Sequence, residues 1–568
     1  MSLAYLSPIA TFGRLAGSRR VALGLIAAIH LAALGIIGWT EYSVLPLLLS
    51  SLAWASLNFI FLALLRRPGV AAALSFGLVG LVVLLSQLKF SILWMVINFF
   101  DVLIIDSDTM AFMLSIFPDL RIIVLVAVLI AAPLLIMIWR IDLFRVPRAI
   151  SLLGAAAGVV AITGLSLAFP EEPWEQFQGV NHISTFVRSG VTTAYELSTK
   201  GWIDFDATTS DQLRAAAHES CHPSVKPPNI VMVLDEASFD ASAVPGIKLP
   251  PGYGGHFQSW DGKKRSLIVE GSGGPTWYTE YNVLTGLSAR SYGRLSYYVT
   301  RIAAGRVNRG LPQALKRCGY KTISLYPAYG AFLSAKKFQE TAGVSRFLDS
   351  ADMKAGDFET DRFYYDQALQ IIQSENGDQP LFIFVYTMFN HFPWWNILRP
   401  ELTPNWRSTG NDPQVDEYLR RQWLSERDYI DFRQKLAAGF PRDSFLLVRF
   451  GDHQPGMAKI IDPAATEEEV SQRIMAHDPR YFTTYYAIDA INFQPKDVSS
   501  ALDRLEAPYL PLMVQEAAGL PLDPSFAEQK KILERCHGLF FQCAGGAEAR
   551  RFNRLLIDAG LIKGMVSR

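Results

Sequence analysis

Residues 444–455 read SFLLVRFGDHQP, an apolar run that ends in a glycine, an aspartate and a histidine. A short and nearly continuous apolar run is typical of a strand that is buried on both faces of a parallel sheet. Open α/β sheets bind ligands beyond the carboxyl ends of their strands, and Asp452 and His453 fall at such an end. The stretch therefore predicts a parallel sheet with a binding site at its rim.

Three other apolar runs in this half of the chain resemble the first. They are NIVMVL at 229–234, KTISL at 321–325 and PLFIFVY at 380–386. Helical patterns, such as those at 361–374 and 413–438, separate the runs, and this alternation predicts an α/β domain with a largely parallel central sheet. Polar residues again follow the strands, since Glu236 comes after the first run, and Asn390 and His391 come after the third.

Glu236, Asp452 and His453 are the predicted ligands of one divalent metal ion. Oxygen and imidazole ligands from loops far apart in sequence commonly hold such ions. The set favours Mn²⁺ or Mg²⁺ and is also compatible with Zn²⁺. Taken alone, Glu236 would be explained as a helix cap and Asp452 as a turn residue. Their shared position at strand ends is what favours a metal site.

Residues 270–286, EGSGGPTWYTEYNVLTG, contain the candidate nucleophile. Pro275 suits the first position of a helix, so Thr276 is expected at a helix N-terminus, where phosphate oxygens bind favourably. Coordination to a metal can lower the pKa of a threonine hydroxyl and activate it. Thr276 is therefore predicted as nucleophile and as a further metal ligand, although an isolated Gly-Gly-Pro-Thr is more simply a helix cap.

The first 170 residues have a different composition, dominated by leucine, isoleucine, valine and alanine. A helical span needs about 20 apolar residues, and five stretches qualify, namely 21–38, 42–65, 69–88, 121–140 and 149–169. We expect residues 89–120 to lie in the membrane interface, with a sixth span as the alternative. The expected organisation is a transmembrane domain at 1–170, a periplasmic connector at 171–228 and a catalytic domain at 229–568.

Charges in the loops predict the orientation of these spans. Arginines precede the first span and lie between the second and third and between the fourth and fifth, whereas acidic residues occupy the alternate loops. Basic loops stay in the cytoplasm. Five spans would therefore place the C-terminal part of the chain in the periplasm, with the protein in a bacterial inner membrane.

The overall composition argues against one class of partner and is compatible with an oxidising compartment. The 53 basic and 53 acidic residues cancel, and the lack of a basic excess argues against nucleic acid. All four cysteines lie in the predicted periplasmic part, where disulfides are permitted. Cys536 and Cys543 are close enough in sequence to pair, which would leave Cys221 with Cys318, although the sequence alone fixes no connectivity.

Together these motifs resemble the membrane-anchored lipoteichoic acid synthase and phosphoglycerol transferase family, within the alkaline phosphatase–sulfatase superfamily. The similar segments are NIVMVLDE ending in Glu236, residues 276–286 beginning with Thr276, residues 387–393 containing His391, and FGDHQP at 450–455. The resemblance to the lipid A phosphoethanolamine transferases is more distant. The resemblance to the lipoteichoic acid synthase and phosphoglycerol transferase family implies that Thr276 is the nucleophile and that His391 contacts phosphate. It also implies that Glu236, Asp452 and His453 bind the metal.

The resemblance also implies a phosphotransferase that moves a headgroup from a phospholipid through a phospho-threonine intermediate to a periplasmic glycan or lipid. Phosphoglycerol from a phosphatidylglycerol-like donor is the expected group, and phosphoethanolamine is the alternative. His391, Asn390, Lys336 and Trp277 are the expected substrate-binding residues. The family has a tryptophan and an arginine near the headgroup, whereas residues 326–338 contain lysines, which bind phosphate only as point charges or form a solvated face.

Three other functions use the same sequence features. A metal-dependent phosphodiesterase or phosphatase would use the same residues with water as acceptor. A non-catalytic sensor would retain the fold without turnover. A transporter is the least favoured, because the spans contain few of the buried charges that transport sites usually show. Sulfate ester hydrolysis is disfavoured, because no cysteine lies near Thr276.

Overall fold

The computed structural model describes residues 19–93, 95–105, 110, 113–114, 117, 119–172, 174–199, 201–213, 221, 226–375, 377, 379–456 and 458–564. The chain divides into two compact units, Met1–Thr199 and Lys200–Arg568. The division falls inside the segment 171–228 that was expected as a connector. Its first part contains a helix, His182–Thr199, that belongs to the first unit.

Five described helices of the first unit are long and apolar enough to cross a membrane, which confirms the predicted number. In chain order the helices of this unit are Arg19–Thr40 (α1), Val44–Leu65 (α2), Pro68–Leu93 (α3), Phe99–Leu103 (α4), Leu120–Ile141 (α5), Arg148–Ala168 (α6) and His182–Thr199 (α7). The five long ones are α1, α2, α3, α5 and α6. Most apolar side chains of α5 are exposed, as expected of a helix that faces lipid.

The predicted interfacial segment 89–120 is described in part. Helix α3 continues through Lys89, and α4 follows it after a short loop. Lys89 forms an ion pair of 2.8 Å with Asp101 of α4, which offsets the cost of burying the lysine charge. Residues 94, 106–109, 111–112, 115–116 and 118 lie outside the described residues.

The second unit is built on an eight-stranded sheet in the described part of the chain. Its strands are Asn229–Asp235 (β1), Arg265–Ile268 (β2), Lys321–Leu325 (β3), Arg346–Leu348 (β4), Leu381–Tyr386 (β5), Phe445–Gly451 (β6), Thr483–Ile491 (β7) and Arg504–Glu506 (β8). The spatial order is β4-β3-β5-β1-β6-β7-β2-β8. Only the pairs that β7 makes with β6 and β2 are antiparallel, so the predicted largely parallel sheet is confirmed.

Helices cover this sheet and connect its strands. The described helices are Thr276–Thr285 (α8), Val299–Ala303 (α9), Leu311–Arg317 (α10), Ala335–Ala342 (α11), Ser350–Met353 (α12), Asp361–Ser374 (α13), Pro413–Gly439 (α14), Ala458–Ile461 (α15), Glu467–Met475 (α16), Leu510–Ala517 (α17), Pro524–Cys536 (α18) and Ala547–Asp558 (α19). Apolar residues of α13 and α14 pack with those of β1, β3, β5 and β6 in one core cluster. Two disulfides, Cys221–Cys318 and Cys536–Cys543, confirm the expected pairs.

The three central strands end at the same edge of the sheet. Every residue of β5 and β6 is buried, in keeping with their continuous apolar sequences. In the parallel register of β1, Leu234 lies beside Tyr386 of β5, and Asp235 lies beside Gly451 of β6. The residues that follow these strands are therefore delivered to one rim, as the sequence predicted.

A buried polar network crosses the middle of the sheet. Asp235 accepts hydrogen bonds from His256 (2.7 Å) and from the Tyr485 hydroxyl (2.5 Å). Arg449 of β6 donates to the other nitrogen of His256 at 3.0 Å and lies 3.5 Å from Asp489. Burial alone would raise the pKa of Asp235, but the hydrogen bonds from His256 and Tyr485 and the charge of Arg449 lower it below its usual value. The network thus holds a charged aspartate directly before Glu236.

Arg449→Met is expected to lower the free energy of unfolding by about 3–5 kcal/mol, because it leaves buried carboxylates without their cation. The matched control is Arg346→Met, since Arg346 is half exposed and pairs with Glu375 at 3.5 Å. Such exposed pairs contribute about 0–1 kcal/mol. Denaturant titration of the detergent-solubilised protein, followed by tryptophan fluorescence, measures both changes. Equal midpoints for the two variants would contradict the assigned role of Arg449.

Candidate functional site

Two carboxylates and one imidazole meet at the carboxyl ends of β1 and β6. Glu236 follows β1 directly, and Asp452 and His453 follow β6. One ligand atom from each of the three lies within 4.8 Å of the other two, and all three side chains are buried. His453 Nε2 lies 3.2 Å from Asp452 Oδ2 and 3.6 Å from Glu236 Oε1. The structure therefore brings the three expected metal ligands together.

The donor atoms of this cluster fit a divalent cation. Asp452 Oδ2 is buried and has no hydrogen-bond partner among the described residues, a costly state for a carboxylate oxygen unless a ligand meets it. His453 Nδ1 lies 2.9 Å from the Gln454 carbonyl, so Nδ1 holds the hydrogen and Nε2 keeps its lone pair for a metal. Burial and then the Asp452 charge raise the pKa of Glu236 well above its usual value, and a cation would relieve that repulsion.

Backbone and threonine contacts fix the orientation of these ligands. Asp452 Oδ1 accepts from the Ala237 amide at 2.8 Å, and the Asp452 carbonyl accepts from the Thr279 hydroxyl at 2.6 Å. The Glu236 amide donates to the Thr387 hydroxyl at 3.2 Å. A Cβ at position 451 would lie 1.8 Å from the Ser238 carbonyl oxygen. Only glycine therefore fits at this last position of β6, directly before Asp452.

Thr276 is the first residue of α8, and its hydroxyl lies at the cluster of Glu236, Asp452 and His453. Its Oγ1 is 3.4 Å from His453 Nε2, and the same hydroxyl partly offsets the rise in the pKa of Glu236. Gly273, at a φ of 75°, donates its amide to the Gln454 carbonyl at 3.1 Å and so ties the loop to the strand end that holds His453. Pro275 immediately precedes the helix, where the sequence had predicted it inside the first turn.

His391 and Asn390 lie on the loop after β5. His391 Nδ1 lies 2.7 Å from the Phe392 carbonyl, which leaves Nε2 as the atom that can exchange a proton. Burial is the main cause that lowers the pKa of His391, while its hydrogen bond with the Phe392 carbonyl and the charge of Asp452 act in the opposite direction. Both polar atoms of the Asn390 amide are buried without a hydrogen-bond partner in the described structure.

Trp277 and Lys336 make no hydrogen bond with the cluster in the part of the chain that the structure describes. The indole N–H of Trp277 donates to the Tyr297 carbonyl at 2.9 Å, and its ring packs edge-on against Tyr297 and Phe332. Lys336 lies exposed in the first turn of α11. If these two residues contact a ligand, Trp277 would do so through its ring and Lys336 through its ammonium group.

Thr279 and Thr387 were not identified from the sequence. Both are small polar residues whose roles depend on contacts with segments more than 150 residues away. Arg449 did give a signal that could have been used, because it is the one charged residue in the run SFLLVRF. A charge in a fully buried strand requires a partner, and its partners lead to Asp235, the neighbour of Glu236.

Residues 269–483 match the sulfatase family. Among curated proteins, an uncharacterised protein of Haemophilus influenzae is 25% identical over 281 residues, which are 44% of this chain and 48% of that protein. The capsular polysaccharide biosynthesis protein RkpI of Rhizobium meliloti is 28% identical over 267 residues, which are 45% of this chain and 46% of that protein. The chain therefore spans about half the length of the curated relatives it matches.

Among solved structures, the Streptococcus pyogenes phosphoglycerol transferase GacH in complex with sn-glycerol-1-phosphate is similar with a TM-score of 0.48 and 16% identity. The similarity covers 64% of this chain and 96% of that one. The sulfatase match includes Thr276, His391, Asp452 and His453 and begins after Glu236. The second unit of this chain thus includes a region that is similar to the sulfatase family, in agreement with the expected resemblance to the alkaline phosphatase–sulfatase superfamily.

Proposed function

We propose that this protein is a metal-dependent phosphotransferase that moves a phospholipid-derived headgroup, phosphoglycerol by preference, through Thr276 to a glycan or lipid acceptor. The observation that carries the proposal is the position of the Thr276 hydroxyl, 3.4 Å from His453 Nε2, at the cluster that also contains Glu236 and Asp452. A hydroxyl that served only to cap α8 would have no reason to face three potential metal ligands.

Glu236, Asp452 and His453 would hold the metal ion, with the Thr276 oxygen as a further ligand. When bound, the ion supplies positive charge that stabilises the alkoxide of Thr276 and the oxygens of the phosphate. Two carboxylates and one imidazole favour Mn²⁺ or Mg²⁺ and remain compatible with Zn²⁺. The chain itself contributes the fixed orientation of each ligand.

Thr276 attacks the phosphorus of the donor, and the bond from phosphorus to the diacylglycerol oxygen breaks. The headgroup is then held on Thr276 as a phosphodiester. His391, through Nε2, takes the proton of the Thr276 hydroxyl and gives it to the leaving diacylglycerol oxygen. In the second half the acceptor hydroxyl attacks phosphorus and gives its proton to His391, the bond from phosphorus to Thr276 breaks, and His391 returns the proton to the Thr276 oxygen. The unpartnered amide of Asn390 is suited to bind a phosphate oxygen or a hydroxyl of the headgroup.

The catalytic unit would lie in the periplasm. The donor lipid would lie in the periplasmic leaflet of the same membrane that the five apolar helices span. Confining enzyme and donor to one surface raises their effective concentration. Two disulfides in the second unit fit an oxidising compartment.

Thr276→Ala is expected to abolish both turnover and the covalent adduct, because no other hydroxyl replaces the nucleophile. Thr276→Ser should restore the adduct, and Ser272→Ala, which removes a hydroxyl from the same loop, should leave it intact. Intact-protein mass spectrometry after incubation with phosphatidylglycerol detects the added mass, and peptide mapping locates it. An adduct on any residue other than Thr276 would overturn the mechanism. Labelled headgroup recovered only in free form would make the protein a hydrolase.

Asp452→Asn is expected to remove the bound metal from the folded protein, because it deletes one of two ligand charges. The matched control is Asp462→Asn, since Asp462 is paired with Arg473 outside the cluster. Plasma mass spectrometry of the purified proteins gives the metal content, and circular dichroism tests folding. Full metal occupancy in the folded Asp452→Asn protein would exclude this cluster as the metal site.

The orientation can be tested with single cysteines, because all four native cysteines are in disulfides. Arg442→Cys, at an exposed position of the second unit, should react with a membrane-impermeant maleimide in cells with a permeabilised outer membrane. Arg145→Cys, in the exposed loop between α5 and α6, should react only after the inner membrane is opened. The reverse pattern would place the second unit in the cytoplasm.

A further inference from the structure

The loop after His391 exposes large apolar side chains in the region of the candidate site. Trp395 is 66% exposed and Ile397 is 67% exposed, and Leu402 and Phe392 are exposed to 42% and 36%. Soluble surfaces seldom gather side chains of this size on one short segment. The neighbouring Trp394 is buried and donates to the Asn390 carbonyl at 3.2 Å. One tryptophan therefore anchors the loop while the next one points outward.

Two buried arginines of α14 fix the backbone of this loop. Arg421 donates to the carbonyls of His391 (2.7 Å), Pro393 (2.8 Å) and Asn396 (2.6 Å). Arg420 donates to the Leu398 carbonyl and to the Thr403 hydroxyl. These hydrogen bonds hold the loop in a defined conformation in which its apolar side chains are exposed. The exposure is therefore a property of the ordered loop and does not result from disorder.

The same contacts suit the loop to a medium of low dielectric constant. A backbone carbonyl that leaves water without a partner costs free energy. Here four carbonyls between His391 and Leu398 are already bonded to guanidinium groups from inside the protein. Glu417 lies 2.7 Å from both arginines and balances part of their charge.

We propose that residues 392–402 form a lipid-contacting loop that inserts Trp395 and Ile397 into the interface of a phospholipid bilayer. The five apolar helices already require a bilayer for this chain, and tryptophan is favoured at the membrane interface. Arg407, which is exposed just beyond the loop, is suited to anionic lipid headgroups, whereas the exposed Arg399 lies 3.8 Å from Glu359. The aliphatic Ile397 and Leu402 favour lipid over a glycan, which would stack on aromatic rings.

The lipid contact does not depend on which group is transferred. Its consequence for the reaction rests on the proposed function: the donor can keep its acyl chains in the bilayer while its phosphate reaches His391, which directly precedes the loop.

The contact is tested with a nitroxide on Ile397→Cys in full-length protein reconstituted into vesicles of phosphatidylglycerol and phosphatidylethanolamine. The label should be more accessible to oxygen, which partitions into lipid, than to a water-soluble nickel chelate. The matched control is Ile430→Cys, at an exposed isoleucine of α14, which should show the opposite preference. Equal access to the nickel chelate at both positions would overturn the proposal. So would dipolar broadening at position 397 that grows with protein density, since it would assign the loop to a second copy of this chain.

A kinetic experiment separates the loop from the chemistry. The double variant Trp395→Ser with Ile397→Ser should lower kcat/KM for a long-chain donor in vesicles by about tenfold or more. It should leave kcat/KM unchanged for a short-chain phosphatidylglycerol that is monomeric in solution. An equal loss on both donors would overturn the lipid role, and a loss that follows the size of a soluble glycan acceptor would assign the loop to the acceptor. If the wild type turns over neither donor, the proposed function fails, while the spin-label result still decides the lipid contact.

Discussion

The mutual repulsion of two buried carboxylates, Glu236 and Asp452, is the interaction on which the functional interpretation depends. Their ligand atoms and that of His453 lie within 4.8 Å of one another. Burial and then the charge of Asp452 raise the pKa of Glu236 well above its usual value, so one carboxylate is expected to take up a proton when no cation compensates. A fold keeps such an arrangement when a cation relieves the cost. Two hydrogen bonds, from the Ala237 amide and the Thr279 hydroxyl, hold Asp452 in this position.

The sheet explains why these groups meet. Strands β1 and β6 run parallel and in register, so whatever follows Asp235 lies next to whatever follows Gly451. The hydrogen-bonded network of Asp235, His256 and Arg449 fixes the end of β1. At the end of β6, the close approach of the Ser238 carbonyl requires glycine at position 451. The position of the candidate metal site is therefore a consequence of strand pairing, and Thr276 reaches it because its own loop is bonded to Gln454.

Much of this could be predicted because the central strands are continuous apolar runs. Such runs predict β1, β3, β5 and β6, and they also predict the edge of the sheet at which Glu236 and Asp452 lie. Strands β2, β4 and β8 have only three or four residues and form because neighbours offer them a pairing edge, so no local pattern reveals them. The contacts of Thr279, Thr387 and His256 are equally non-local. Adjacency in sequence was also a poor guide to side-chain direction, since Trp277 follows Thr276 yet donates its N–H to Tyr297.

Arg421 connects the chemistry of the site with the apolar loop beside it. One amino group of its guanidinium holds the carbonyl of His391, and the other holds those of Pro393 and Asn396. The guanidinium is planar and rigid, and the side chain is fully buried, so a shift of the loop near Asn396 would be transmitted to His391 through a single group. A lysine could not do this, because a point charge does not fix three acceptors in one plane. The histidine expected to exchange protons with the substrate and the segment that we assign to lipid are in this way parts of one rigid structure.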